Sequence, residues 1–292
     1  MYNFKTIAEL IEISKQEELS IAQVIINREK ELNNKSEEAI RKQMKDTLEV
    51  MKEAIKEGLT KDIKSTSGLT GGDAKLLDKA QKSGRSVTGS IMSSAIAKSI
   101  AVAEVNAAMG KIVAVPTAGS CGILPGTLLT IAEDREKKDE EIINALFVAS
   151  GIGLIIAKQA SVSGAEGGCQ AECGSAAAMA AGAITYLLGG SNEQIANAVA
   201  IALKNILGLV CDPVAGLVEV PCIKRNAGGA SNALTAAELA LAGINSVIPA
   251  DEVIIAMKKV GEALPPQLKE TSLGGLAATP TACKLNQEVF SD

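Results

Sequence analysis

The sequence contains no histidine and no tryptophan, and only two tyrosines and three phenylalanines among its 292 residues. The lack of histidine removes the commonest general base at neutral pH and the commonest zinc ligand. Chemistry at neutral pH must therefore use lysine, cysteine, a carboxylate with a raised pKa, a cofactor, or a group from another chain. A metal site must likewise use cysteine, carboxylate or backbone ligands.

Basic clusters and long apolar runs are also lacking. The net charge is −5, and no Lys/Arg cluster stands out, so we expect no nucleic-acid partner. No apolar run reaches the roughly 20 residues of a membrane span, and we expect no membrane association. The first residues are charged too early for a secretory signal. The six cysteines are therefore predicted to be reduced thiols in the cytoplasm.

The apolar residues that are present, 47% of the chain, are mostly alanine, isoleucine, valine and leucine, and 27 glycines accompany them. Such a composition suits helices whose backbones pack closely. Strand-like alternation is limited to Lys111–Val115 and Leu217–Val220, so we predict a mainly α fold. We divide it into an N-terminal helical arm (1–60), covering its own core or another chain, and a helical catalytic domain (61–292). The two could also form one continuous domain.

Apolar periodicity and capping residues predict the individual helices. After the arm, whose last helix is expected to end at Gly58, the predicted helices cover residues 88–112 (one helix or two), 142–160, 176–188, 191–208, 230–242 and 249–263. Three glycine- and proline-rich segments interrupt them as predicted loops, namely 115–126, 163–173 and 209–226. The tail after residue 271 is predicted to be irregular.

Three cysteines in these loops sit beside glycine or proline, where the backbone can approach a bound group closely. They are Cys169, Cys211 and Cys222. Their wide separation and the lack of histidine argue against structural zinc, and the Cys169–Cys173 pair lacks a matching second pair. Three thiolates could instead hold a [4Fe–4S] cluster with one iron left open as a Lewis acid. The alternative is that each buried cysteine is simply a small apolar side chain.

Two further glycine-rich segments allow two readings each. Ser67–Leu77 is a turn that opens a helix, whose N-terminus could bind an anion, or it could reflect simple turn chemistry. Val115–Gly126 could line a site or serve as a buried connector.

Five segments together resemble the α chain of the bacterial iron–sulfur L-serine dehydratases. They are SGLTGGDAKLL, PTAGSCGILPG, SGAEGGCQAECGSAAAMAAG, CDPVAGLVEVPCIKRNA and ETSLGGLA. The resemblance covers roughly residues 60–283, and the combination is far more specific than any single motif. It implies dehydration of L-serine to pyruvate and ammonia.

The resemblance also implies a ligand set. The cluster cysteines of the family correspond to Cys169, Cys211 and Cys222, whereas Cys121 and Cys173 correspond to residues that are not ligands. Cys283 matches a terminal cysteine that ends some family members and is proposed to reach the open iron when substrate is absent. In this chain, residues 284–292 follow it.

Single-chain relatives carry an additional domain with an SSSHTAG-like motif, which this sequence lacks. The resemblance therefore implies a separate β chain that supplies the motif and the histidine base in trans. In this picture the open iron takes the serine hydroxyl while that base removes the Cα proton.

Several residues are candidates for the substrate site. Arg225 could pair with the substrate carboxylate, or it could form an ion pair with a neighbouring helix. Glu166 could act as an acid or base, or it could cap or orient its loop. Candidate hydrogen-bond donors to the substrate are Ser67, Thr117, Ser120 and Asn226.

Two other functions are compatible with the residues. In a pyridoxal-phosphate-dependent lyase, the SGAEGG segment would cradle the phosphate and Lys158 or Lys204 would form the imine. A scaffold that holds a redox cluster without a substrate is the second alternative.

Overall fold

The computed structural model describes residues 2–291, and over this range the protein is built from helices. About 70% of it is helical, which confirms the prediction of a mainly α fold. The expected strand-like segments, Lys111–Val115 and Leu217–Val220, form no strand. A single backbone bridge between Cys211 and Lys269 is the one β-type pairing within residues 2–291.

Thirteen α-helices follow one another within residues 2–291. They are α1 (Ile7–Gln16), α2 (Ile21–Asn33), α3 (Glu37–Thr60), α4 (Asp73–Lys82), α5 (Gly89–Ala107), α6 (Ile123–Asp134), α7 (Asp139–Gln159), α8 (Gly164–Gly167), α9 (Ser175–Leu187), α10 (Asn192–Lys204), α11 (Cys222–Leu241), α12 (Ala250–Ala263) and α13 (Pro280–Phe290). Short 3₁₀ or π segments join several of them, and α8 is a single turn.

The first three helices begin where their capping residues predict. Thr6, Ser20 and Ser36 each accept a hydrogen bond from a backbone N–H three residues later, which satisfies a free donor of the first turn. The expected end of α3 at Gly58 is wrong, because the helix continues to Thr60. Gly58 is instead a contact point: a Cβ there would lie 2.7 Å from Ala101 Cα in α5. Glycine thus lets α3 and α5 pack backbone against backbone.

Helix α9 forms the centre of the hydrophobic core. Nearly all of its residues are buried, and α6, α7, α10 and α11 surround it. Eight of its thirteen residues are alanine, glycine or serine, and these small residues keep the neighbouring axes close, as expected for tightly packed helices. Phe4, Leu10, Ile25 and Leu48 belong to the same core, so the N-terminal helices cover the protein's own interior.

Helix α7 is long and apolar enough to cross a membrane by length and composition. In the structure, 67% of its apolar window is buried inside the protein. It packs against α9, α2 and α3, as a core helix of a globular protein does.

Three helices begin inside segments that were predicted to be loops, namely α6, the single turn α8 and α11. Helix α6 starts at Ile123, inside the 115–126 segment. Pro125 does not prevent this, because it lies in the first turn, where a missing N–H costs no helical hydrogen bond. Helix α11 starts at Cys222 rather than near residue 230. The helix includes Gly229, where the side chain of Ile123 packs against the backbone. A Cβ at Gly229 would lie 3.0 Å from Ile123 Cγ1, so this position requires glycine.

The tail also differs from the prediction. Residues after 271 were expected to be irregular, but Pro280–Phe290 form α13. Thr279 accepts a hydrogen bond from the backbone N–H of Ala282, and Pro280 occupies the first helical position. Both are strong helix-start signals.

Candidate functional site

The three cysteines of the predicted ligand set come together from three different segments. Cys169 immediately follows α8, Cys211 lies in the extended segment after α10, and Cys222 is the first residue of α11. Burial, and to a lesser extent the charge of nearby Cys169, raise the pKa of Cys222 to about 12. The pKa of Cys211 is raised mainly by burial and additionally by Glu172 and Cys169. The tertiary fold therefore places these three thiols in one buried region.

A fourth thiol contacts the first. The sulfurs of Cys169 and Cys173 are 3.4 Å apart, because the π-helical turn Gln170–Gly174 brings positions four apart together. Such turns occur frequently at functional sites. Cys173 keeps its proton, since this contact and burial raise its pKa well above the ordinary value. The same contact lowers the pKa of Cys169, and Arg225 lowers it further.

Arg225 is held tightly by protein groups. Its Nη1 donates to the carbonyl oxygen of Val210 at 2.7 Å, and its Nη2 donates to Asp212 Oδ1 at 2.7 Å. Arg225 thus forms an ion pair, but its partner Asp212 lies in the segment before α11 and not in the neighbouring helix that the second alternative named. Its position near Cys169 also places a positive charge beside the thiols. Binding of a substrate carboxylate by Arg225 stays a prediction.

Glu172 is a site residue that the sequence reasoning missed. Its Oε1 accepts from Thr117 Oγ1 at 2.7 Å, and its Oε2 lies 3.8 Å from Cys211 Sγ. Burial raises the pKa of Glu172, and the charge of Glu270 raises it further. Glu172 therefore holds a proton to higher pH than an exposed glutamate. The available signal was a carboxylate inside a Gly/Cys-rich segment between two buried helices.

Gly164, the first residue of α8, leaves space among these groups. A Cβ at this position would lie 2.7 Å from Glu172 Oε2, 3.0 Å from Cys211 Sγ and 3.1 Å from Glu270 Oε2. The two carboxylates and the thiol therefore face one another across a glycine Cα. Any other residue would push into them.

The predicted polar donors form the frame of the site. Asn226, fully buried, accepts from Gly122 N–H at 2.9 Å and donates to the carbonyl oxygens of Gly119 and Cys222. Ser120 Oγ donates to the Val115 carbonyl oxygen at 3.1 Å. These bonds fix the 115–122 segment against the first turn of α11. The 115–122 segment therefore lines the site. Of the two possibilities considered for Val115–Gly126, a site wall or a buried connector, this is the first.

The Ser67–Leu77 segment is explained by turn chemistry. Ser67 Oγ and Thr70 Oγ1 both donate to the buried carboxylate of Glu219, at 2.8 and 3.0 Å. The N-terminus of α4 is already capped, because Glu104 accepts from Asp73 N–H at 2.7 Å. An anion at this helix end would compete with the buried Glu104 carboxylate, so the structure favours the turn over an anion site.

Comparison with known proteins assigns the chain to a family. The family profile described as "Serine dehydratase alpha chain" matches residues 16–277. The chain belongs to the serine dehydratase alpha chain family. It is 53% identical over 287 residues to the "Probable L-serine dehydratase, alpha chain" of Bacillus subtilis (strain 168), covering 98% of this chain and 95% of that one. It is 42% identical to the "L-serine dehydratase, alpha chain" of Peptoniphilus asaccharolyticus, covering 98% of each.

A longer relative shares the same region. The "L-serine dehydratase" of Streptomyces coelicolor is 37% identical over 290 residues, which are 97% of this chain but 62% of that protein. This chain thus matches one part of a longer polypeptide.

Two predicted site residues of this alpha chain lie apart from the thiols. Glu166 is exposed and lines a small cavity with Met257, Lys258 and Glu262. Cys283 is exposed on α13. Glu172 and Glu270, rather than Glu166, are the carboxylates that face the thiols. Roles for Glu166 as an acid or base and for Cys283 as a fourth ligand stay predictions.

The donor set of this alpha chain suits an iron–sulfur cluster. Within residues 2–291, no three cysteine, aspartate or glutamate side chains are grouped as a single metal ion requires. Around one tetrahedral zinc, Zn–S bonds of about 2.3 Å would draw four ligands tightly together. A cluster of several irons is held by thiolates that stand farther apart. Cys169, Cys211 and Cys222, buried or half-buried around Arg225, fit such a group.

Proposed function

We propose that the chain is the α subunit of an L-serine dehydratase, an L-serine ammonia-lyase that converts L-serine to pyruvate and ammonia. The observation that carries the proposal is that Cys169, Cys211 and Cys222, which are buried or half-buried, lie in one region of the fold. Two relatives that match nearly the whole chain bear the name L-serine dehydratase, alpha chain. We propose a [4Fe–4S] cluster as the cofactor, held by these three thiols.

When bound, the cluster would supply a Lewis acid for the serine hydroxyl, a poor leaving group. Residues of the chain would orient the substrate and hold a proton beside it. Thr117 carries a hydroxyl that donates to Glu172 beside the thiols, and Arg225 places a positive charge there that can orient a carboxylate. Substrate contacts by Ser67, Ser120 and Asn226 stay predictions. Glu172, whose pKa burial raises, holds a proton beside the thiols to higher pH than an exposed glutamate does.

The overall change is the loss of water from L-serine. The Cα proton and the β-hydroxyl leave, which gives aminoacrylate. Aminoacrylate tautomerises to an imine, and hydrolysis of the imine releases pyruvate and ammonia. Because the chain has no histidine, we propose that the base for the Cα proton comes from a β chain with an SSSHTAG-like motif. The longer Streptomyces relative supports a second unit, since this chain accounts for 62% of its length. The reduced thiols fit a cytoplasmic location.

No contact favours the pyridoxal-phosphate alternative. Lys158 is exposed at the end of α7. Lys204 donates to the Ser246 carbonyl oxygen at 2.7 Å, so its amine is already engaged.

Anaerobic reconstitution tests the function. The chain is loaded with iron and sulfide, mixed with the β chain, and assayed for pyruvate and ammonia from L-serine. We expect turnover that requires both iron and the β chain, together with a broad brown absorbance that bleaches in air. Iron-loaded complex without any turnover would favour the redox scaffold. Turnover without iron, accompanied by a sharp yellow aldimine band, would favour the pyridoxal-phosphate lyase.

A further inference from the structure

Residues 268–278, between α12 and α13, lie across the segment that carries Cys211, and we name them the covering segment. Cys211 N–H donates to the Leu268 carbonyl oxygen at 2.9 Å, and Glu270 N–H donates to the Cys211 carbonyl oxygen at 2.8 Å. This short parallel pairing brings the Glu270 side chain to the Gly164 gap described above. The covering segment is therefore part of the site's wall.

The covering segment has little apolar anchoring of its own. Ala277 is its one buried residue. Glu270 and Ser272 have φ values of 60° and 56°, in the left-handed region that costs non-glycine residues about 1 kcal/mol or more each. Segments with few buried contacts open at low free energy. Polar ties to the rest of the protein must therefore hold it in place.

The buried carboxylate of Asp212 provides the central tie. Its Oδ2 accepts from the Leu276 backbone N–H at 2.7 Å, and its Oδ1 accepts from Arg225 Nη2 at 2.7 Å. The Asp212 side chain is only 4% exposed, so each oxygen depends on its partner for the solvation that it has lost. One residue thus joins the covering segment to the arginine beside Cys169.

Gly275 shows how closely this tie is fitted. Its φ is +59°, and a Cβ there would lie 2.7 Å from Asp212 Cβ and 2.9 Å from Asp212 Cγ. Only glycine allows the backbone both this conformation and this approach. A methyl group at Gly275 would separate the covering segment from Asp212 without changing the carboxylate itself.

We propose that Asp212 is a positioning residue that couples the covering segment to the thiol site. With the segment in place, both carboxylate oxygens are engaged and Arg225 is held near Cys169. If the covering segment detaches, Asp212 keeps only its bond to Arg225. The Arg225 guanidinium and the Cys169 thiol then both become more mobile. The coupling follows from contacts within this chain. Its importance for serine dehydration rests on the proposed function.

The test uses the full-length, iron-free chain and three variants. Gly275→Ala blocks the contact sterically, and Asp212→Asn removes one of its two acceptors. Gly243→Ala is the matched control, because its φ is +87° with no heavy atom within 4 Å of the added Cβ. Two quantities are measured: hydrogen exchange of the covering segment, and alkylation of Cys169 relative to the exposed Cys283 by mass spectrometry.

We expect both quantities to rise by about tenfold in Gly275→Ala and Asp212→Asn, with a thermal midpoint matching that of the control. A merely structural role would lower the midpoint without a selective change at Cys169. Faster exchange of the segment with unchanged Cys169 alkylation would overturn the coupling, as would no change in either. Asp212→Asn tests the same coupling by itself if Gly275→Ala does not fold. Because neither iron nor serine is present, failure here is distinct from failure of the proposed function.

Discussion

Replacing Gly164 by alanine should empty the site of iron while leaving the fold intact. The added Cβ would lie 3.0 Å from Cys211 Sγ and 2.7 Å from Glu172 Oε2. Ordinary contact between such atoms is about 3.5–4.0 Å, so the sulfur must retreat by about half an ångström or more. Metal–ligand distances tolerate only about 0.2 Å, and Glu172 can swing aside more easily than the thiol can move.

The effect on stability should be small or favourable. Gly164 has no positive φ and begins a helix, and alanine is preferred to glycine in helices by about 0.5–1 kcal/mol. Gly228→Ala in α11 is the matched control, because it has no heavy atom within 4 Å of the added Cβ. Both variants should unfold at a urea midpoint close to or above that of the parent chain.

The assay is iron and acid-labile sulfide per chain after anaerobic reconstitution. We expect Gly228→Ala to load like the parent and Gly164→Ala to lose most of its iron. Full loading of Gly164→Ala at unchanged stability would refute the view that the space beside Cys211 belongs to the cluster site.

Three further predictions concern the thiols, the frame and an ion pair. Cys222→Ala should abolish iron loading whereas Cys173→Ala should keep it, and iron analysis that gives the reverse would overturn the ligand set. Asn226→Ala removes the side-chain partner of the Gly122 N–H and of the Gly119 carbonyl oxygen and should lower the free energy of unfolding by about 2–4 kcal/mol in urea titrations; a loss below about 0.5 kcal/mol would contradict the framing role. Lys15, together with the Glu193 backbone N–H and the Ser191 hydroxyl, lowers the pKa of Glu193 to about 2 from 4.5, so these contacts stabilise the protein above pH 4.5 and lose this effect as the pH falls through about 2. Lys15→Met should return the pKa of Glu193 towards 4.5 by NMR titration and cost less than about 1 kcal/mol at neutral pH, since both side chains are more than half exposed.

The sequence predicts the buried helices well but not all of their ends. Helices α7 and α9 are predicted correctly from their long apolar stretches. The starts of α6 and α11 are missed because Pro125 and Gly229 resemble helix breakers. Tertiary packing overrides these local signals. Helices α5 and α6 contact each other at Gly126, where a Cβ would lie 2.8 Å from Ser99 Cα, so the contact requires glycine. Such tertiary contacts are invisible in a local pattern.

The candidate site, like the helices, is predicted only in part. The cysteines were identified because glycine and proline beside a thiol, together with the family motifs, point to them. Glu172 and Asp212 were missed because their partners are remote in sequence: Thr117 is 55 positions from Glu172, and Leu276 is 64 positions from Asp212. A carboxylate's role depends on what the fold brings to it, and spacing along the chain does not reveal that.

The most direct test of the central claim is Mössbauer spectroscopy of the ⁵⁷Fe-loaded complex with the β chain, recorded anaerobically with and without L-serine. The account predicts a four-iron cluster in which one iron differs from the other three and changes its parameters when serine is added. Irons that all remain unchanged by serine in an active complex, or an active complex without iron, would contradict it.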